Sequence, residues 1–235
     1  MNTVEHIHNL LRQSIRQTKS PKTQYFKTGP GHYAAHDQFL GVPNPALREI
    51  AKTIKTLPLP EIEQLLASPY NEERLRALFL LVNRYTKASE KEREELYHFY
   101  LSHTAQINNW NLVDASAHLI VGHHLYTKDK DILITLARSS SLWERRIAIV
   151  ATWYFIRKGD LKWTFILSNM LLTDTHDLIH KAVGWMLREA GKRNEHDLRV
   201  FLTHHAPDMP RTMLRYALEK FSPEVQKTFR SLTHP

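Results

Sequence analysis

The chain has no cysteine among its 235 residues, and that one absence removes disulfides, thiolate zinc sites, iron–sulfur clusters and a cysteine nucleophile together. A reducing compartment fits this usage. The start, Met1-Asn-Thr-Val-Glu-His-Ile-His, lacks a basic region followed by a long apolar run, and the most apolar internal stretch, Ile147 to Ile156, is far short of the roughly 20 residues that span a bilayer. No membrane-spanning segment is expected, and the location expected is cytoplasmic. Also missing are a glycine-rich phosphate loop, His-Glu-x-x-His and Gly-x-Ser-x-Gly, which removes the usual signatures of a nucleotide hydrolase, a zinc protease and a serine hydrolase. No stretch reads convincingly as a β-strand. The pairs His123-His124 and His204-His205 are adjacent, so on a helix they point to different faces, and no metal site is expected there.

What is present is a strong basic balance, 32 Lys plus Arg against 24 Asp plus Glu, a formal charge of +8 and a pI near 9.6. A polyanionic partner follows, nucleic acid first and an anionic membrane surface second.

Helical periodicity runs through almost the whole chain. Val4, Ile7, Leu11 and Ile15 share one face of a first helix, and the turn signals begin at Ser20-Pro21. From Tyr25 to Pro45 the pattern breaks into an irregular connecting segment bracketed by Gly29-Pro30-Gly31 and Gly41-Val42-Pro43-Asn44-Pro45, with room for one short helix between. Asn44-Pro45 opens a helix carrying Leu47, Ile50, Ala51 and Ile54, and Pro60 opens a short one through Leu66. A longer helix starts at Asn71 with Leu75, Leu78, Phe79, Val82 and Tyr85 inward. Ser89 with Glu92, and Ser141 with Glu144, have the spacing of capping boxes. Further helices are expected over 129–137, 141–157, 160–172, 175–192, 194–204, 210–221 and 222–232.

The long-helix starts near Asn71, Asn109, Ser141 and Asp177 recur at intervals of about 32 to 38 residues, each followed by a shorter helix. That is the pattern of an all-α helical-repeat solenoid, a curved superhelix of antiparallel helix pairs, here read as one domain over 1–235. Equivalent helices of such a repeat line one groove. Along them stand Arg74 and Arg76, then Trp110 and Asp114, then Trp143, Arg145 and Arg146, then Lys181, Trp185 and Arg188, and last Arg211 and Arg215. A basic stripe suits a phosphate backbone and interleaved tryptophans suit bases or a cationic group. Taken singly, each of these residues also fits an ordinary solvated cation or core tryptophan.

Within the stretch Ile107 to Gly122, Trp110 and Asp114 lie four residues apart at a helix start and so share a face. A π-face beside a carboxylate suits a cation. The same Asp also suits a helix N-terminus for dipole reasons alone.

Three segments in order, Asn109-Trp-Asn-Leu-Val-Asp114, Trp143-Glu-Arg-Arg-Ile-Ala148 and His180-Lys-Ala-Val-Gly-Trp-Met-Leu-Arg-Glu189, resemble the signature segments of the AlkD family of bacterial DNA alkylation-repair glycosylases, built from HEAT-like repeats. The resemblance extends to Phe39-Leu-Gly-Val42 and to Met209-Pro-Arg-Thr-Met-Leu-Arg-Tyr216, so it covers nearly the whole chain. It implies that Asp114 is the catalytic carboxylate, that Trp110 and Trp185 are aromatic walls around the lesion, and that Arg146 is the cationic contact beside them. Arg74, Arg76, Trp143, Arg145, Lys181, Arg188, Arg211 and Arg215 are then the expected DNA contacts. Lys181 is read as a phosphate contact rather than a Schiff-base nucleophile, because no feature of the sequence signals the lowered pKa that such a role needs. Some members carry a second aromatic where this chain has Asn109, a departure that bears on which adducts are accepted. The implied activity is monofunctional hydrolysis of the N-glycosidic bond of cationic N3- or N7-alkylated purines in duplex DNA, with no cofactor, no metal and no obligate protein partner. The competing reading is a non-catalytic HEAT-like scaffold that binds nucleic acid or an acidic protein. Asp114 separates the two, since a groove that only binds phosphates has no use for a carboxylate among its cations.

Overall fold

A computed structural model describes residues 25–42, 45–47, 49 and 57–232, together with 5, 9 and 10. Most of the first expected helix, over 4–17, lies outside the described residues, as does most of the one begun at Asn44-Pro45. The described chain is all-α, a helical-repeat architecture whose one β-type contact among the described residues is the isolated parallel bridge between Gln38 and Tyr70. None of its helices is long and apolar enough to cross a membrane.

The helices fall into two compact units, Met1–Ser116 and Ala117–Pro235. In the first, α1 (Leu59–Leu66) packs on α2 (Asn71–Lys87), which packs on α3 (Glu90–Ser102), and α4 (Trp110–Ala117) closes the unit. Helix α2 buries its first eleven residues, Asn71 to Leu81, so its opening turns lie in the interior despite their charged sequence. Helix α3 starts as its sequence indicates, with the Ser89 hydroxyl accepting from Glu92 N at 3.3 Å. The Glu92 carboxylate bonds Arg84 Nε at 2.7 Å.

The second unit opens with a π-helical turn, His118–Gly122, followed by α5 (His123–Leu125). It continues through α6 (Asp131–Ala137), α7 (Leu142–Arg157), α8 (Lys162–Met170), α9 (Asp177–Gly191), α10 (Glu195–His205), α11 (Arg211–Ala217) and α12 (Pro223–Arg230). The π turn, α7, α9 and α11 stack in sequence as one layer, and α6, α8 and α10 lie against them as the other. This two-layer stacking of successive pairs is the expected repeat, and its core is the run of fully buried apolar side chains along α7 and α9, such as Ile147, Val150, Ile179 and Met186.

Helix α7 ends in a Schellman motif. Gly159 adopts φ +86°, Asp160 N donates to Phe155 O and Gly159 N to Ile156 O, both at 3.0 Å, which turns the chain sharply into α8. Its beginning differs from expectation, because Ser141 makes no side-chain capping bond. The Arg145 guanidinium occupies this corner instead, donating to the carbonyls of Ser139 and Ser140 at 3.0 and 2.9 Å.

Candidate functional site

In the first unit, the site residues are positioned by the start of α4. Asn109 is fully buried, and its carbonyl accepts from Leu112 N and Val113 N, which begins the helix. Its side-chain oxygen accepts from Trp110 N at 2.7 Å and its amide donates to the buried carboxylate of Asp37. Trp110 is half-buried. Its ring stacks on Phe26 with centroids 5.2 Å apart and planes 21° apart, and Phe26 in turn stacks on Phe39 at 4.6 Å. These rings border a cavity of about 170 Å³ whose polar lining includes Asn71, Glu72 and Asn111. One turn along α4, Asp114 is half-buried. Its charge is felt by the buried hydroxyl of Tyr100, whose pKa is pushed up first by burial and further by Asp114, against the lowering effect of a 3.0 Å hydrogen bond with Ser116.

The expectation that Arg74 and Arg76 face a phosphate backbone is not met. Arg74 forms a buried ion pair with Asp37 and donates to Ser68 O at 2.8 Å. Arg76 has no exposed surface, and burial lowers its pKa to about 10, so it stays charged inside the protein at neutral pH. Charged side chains in the first turns of an amphipathic helix normally face solvent, but here the irregular segment 25–42 supplies Asp37 as a buried partner for Arg74.

In the second unit, Trp143 and Trp185 are half-buried. Trp185 packs edge-on against Trp153 at 5.0 Å, and Trp153 lies against His118 at 4.4 Å. Just before Trp185, Gly184 brings α9 so close to α11 that a Cβ there would stand 2.4 Å from Met213 O. Lys181 is on the same helix and pairs with Asp177 Oδ2 at 2.7 Å, both side chains substantially exposed. Arg146 is buried, its guanidinium donating to Leu178 O in the first turn of α9, and is therefore not an open cationic contact. Arg145 bonds Asp174 Oδ2 at 2.6 Å, a carboxylate that is itself buried, so this arginine braces the α9 approach instead of facing a solvent groove. Arg188 is held by Glu189 at 3.1 Å and by Glu219. Arg211 and Arg215 are exposed and, with Arg230, line a cleft of about 400 Å³. Arg215 lies over the Tyr216 ring at 5.1 Å.

Sequence reading missed Asp37, Phe26 and Trp153. Asp37 and Phe26 sit in the irregular segment, where no periodicity marks a face, and Asp37 meets its partners across 34 to 72 residues of chain. Trp153 has a visible signal, being on the same helix as Trp143, but its partner Trp185 is not local. A separate cleft of about 1030 Å³ between α8 and α10, floored by Phe165 and Phe201, contains none of the expected site residues. Among the described residues, no cluster of His, Asp or Glu has the arrangement of a metal site.

No curated protein matches the chain. A solved structure of a predicted DNA alkylation repair enzyme from Enterococcus faecalis is similar in fold, with a TM-score of 0.68 over 86% of this chain and 93% of that one, at 18% identity. The family model described as DNA alkylation repair enzyme matches residues 7–221, a span that takes in both units and every residue of the expected site. By that match, the chain belongs to the DNA alkylation repair enzyme family.

Proposed function

We propose that the chain is a monofunctional DNA glycosylase that hydrolyses the N-glycosidic bond of cationic N3- and N7-alkylated purines in duplex DNA and leaves an abasic site. The observation that carries this reading is the half-buried carboxylate of Asp114 one turn after a half-buried tryptophan, in a basic member of an alkylation-repair family. Departure of the base develops positive charge on the sugar. A carboxylate facing that charge from a partly dehydrated position stabilises the transition state and orients the attacking water. An alkylated purine is already cationic, so it leaves without protonation by the enzyme, which agrees with a single candidate carboxylate on this helix face.

Trp110 offers the lesion an aromatic face whose other side is backed by Phe26. Trp185, held by Trp153, is proposed as the second aromatic surface. Cation–π attraction of about 0.5 to 2 kcal/mol per ring then favours the charged lesion over the normal base. Arg146 serves by holding the start of α9, and Lys181, Arg211 and Arg215 contact phosphates.

The experiment is single-turnover base release from duplexes that each carry one defined lesion, at fixed salt. Release of 7-methylguanine and 3-methyladenine is expected, with uracil and hypoxanthine poor substrates because a neutral base needs an acid to leave. Asp114→Asn is expected to keep duplex binding and lose release. Comparable excision of uracil, or normal release by Asp114→Asn, removes these roles. A wild-type protein that binds duplex DNA and releases no base from any lesion supports the scaffold reading instead.

A further inference from the structure

Beneath the start of α4 lies a group of buried polar side chains that the proposed reaction does not use. Asp37, with a fully buried carboxylate, receives hydrogen bonds from Arg74, from Asn71 Nδ2 at 3.1 Å and from Asn109 Nδ2. Asn71 and Asn111 bond each other reciprocally at 3.3 and 2.7 Å, tying α2 to α4. A carboxylate withdrawn from water is costly unless its partners are held in good geometry, so the three segments that meet on Asp37 are constrained to one arrangement.

Asn109 converts that arrangement into an orientation of the site. One end of its amide bonds Asp37 and the other accepts from Trp110 N, so rotating the side chain forfeits both bonds. The ring of Trp110 is fixed from the same source, because the segment bearing Asp37 also bears Phe26 and Phe39, which stack against it. That segment is pinned in turn by Glu72, whose carboxylate accepts from Leu40 N at 2.9 Å and Gly41 N at 2.8 Å. Backbone and ring of Trp110 are thus referred to one buried anchor.

We infer that Asp37 is a positioning residue for the site: through Asn109 it fixes the first turn of α4 and thereby aims Trp110 and Asp114. The inference rests on the roles proposed above for those two residues. It also gives a purpose to the buried Asn109, whose amide donates to Asp37 at one end and accepts from Trp110 N at the other.

The test uses the full chain with Asn109→Ala, which deletes the bridge without leaving a charge unpaired, and with Asp37→Asn as the second variant. Three quantities are read: single-turnover release of 7-methylguanine, duplex affinity, and the five indole N–H resonances, with Trp110 assigned through Trp110→Phe. For Asn109→Ala, release falls about 10- to 100-fold, as expected for a catalytic group misplaced by about 1 Å. Affinity stays within about twofold, since no phosphate contact is touched, and only the Trp110 resonance shifts or broadens. Asp37→Asn does the same or more. Unchanged release with an unchanged Trp110 signal overturns the inference. So does collapse of all five resonances in Asn109→Ala, because the network would then be holding the fold and not the site. If wild-type protein releases no base, the glycosylase reading fails by itself, and the Trp110 resonance still decides whether Asp37 and Asn109 position that ring.

Discussion

Gly184→Ala tests the packing that carries Trp185. A Cβ added to Gly184 would stand 2.4 Å from Met213 O and 2.5 Å from Tyr216 Cβ. Ordinary van der Waals contact begins near 3.4 Å, so α9 and α11 must part by about 1 Å, and the first obstacle is a helix carbonyl that cannot swing aside. Overpacking of this kind costs about 1 to 3 kcal/mol. Alanine in a helix interior returns about 1 kcal/mol relative to glycine. With a rigid obstacle the upper part of the overpacking range applies, leaving a net loss of about 2 kcal/mol and a fall in Tm of about 4 to 8 °C. The same shift moves Trp185, the next residue, so on the proposed mechanism base release falls more than duplex affinity does. Thermal unfolding by circular dichroism and single-turnover release measure the two effects. A Gly184→Ala protein as stable as the parent, with normal release, would refute the reasoning, since it would mean that the α9–α11 approach is not tight in solution.

Two more predictions follow from the second unit. His176 caps α9 by accepting from Leu178 N at 3.1 Å, and its pKa is lowered, first by burial, with Arg145 and His180 adding to the effect against Asp174 and Asp177. Because the folded pKa lies below the unfolded 6.5, the unfolded chain takes up the proton first, and stability is lost as pH falls from 6.5 toward the folded value. His176→Asn keeps an acceptor at the cap and removes the titration, so its Tm should decline less than the parent's between pH 7 and 5; parallel declines would contradict this. Removing Lys181, Arg211 and Arg215 should flatten the salt dependence of duplex affinity, measured by titration at several salt concentrations.

Most of the helices were legible because their signals are local. Asn71, Ser89, Pro210 and Ser222 each precede or begin a helix within a residue or two of where periodicity puts it. The corner at Ser141 was not, because it is shaped by Arg145 reaching back to the carbonyls of Ser139 and Ser140, which no spacing rule encodes. The π turn at His118–Gly122 was equally hidden. Its visible trace is Gly122, where a Cβ would meet Ala151 O at 2.2 Å, the same kind of close approach that Gly184 makes to α11 and at the same separation along the chain. For the candidate site, Trp110 and Asp114 could be paired by helical spacing alone. Arg74 could not be assigned, since its partner Asp37 lies 37 residues away in a segment without periodicity.

Burial of the carboxylate partner decides which of the basic residues are available to DNA. Asp174 is 5% exposed, so taking Arg145 away from it would strand a buried charge, and a phosphate cannot compete for that arginine. Arg146 is held by a backbone carbonyl in the interior. Lys181 and Asp177 are 36% and 47% exposed, and a solvated pair of this kind is worth about 0 to 1 kcal/mol, little enough for a phosphate to displace the carboxylate. Arg211 and Arg215 are open to solvent beside their cleft. The cations expected from sequence therefore divide into those that brace α2, α7 and α9 and those that can release counterions. Each cation of the second kind contributes about 0.9 to the slope of log affinity against log salt. Lys181→Ala, Arg211→Ala and Arg215→Ala together should reduce the slope by about 2.7 on that rule, whereas Arg145→Ala should lower Tm and leave the slope of the folded protein unchanged. The reverse pattern, a large slope change for Arg145→Ala and none for the triple variant, would mean that DNA approaches the second unit from the side that Asp174 now closes.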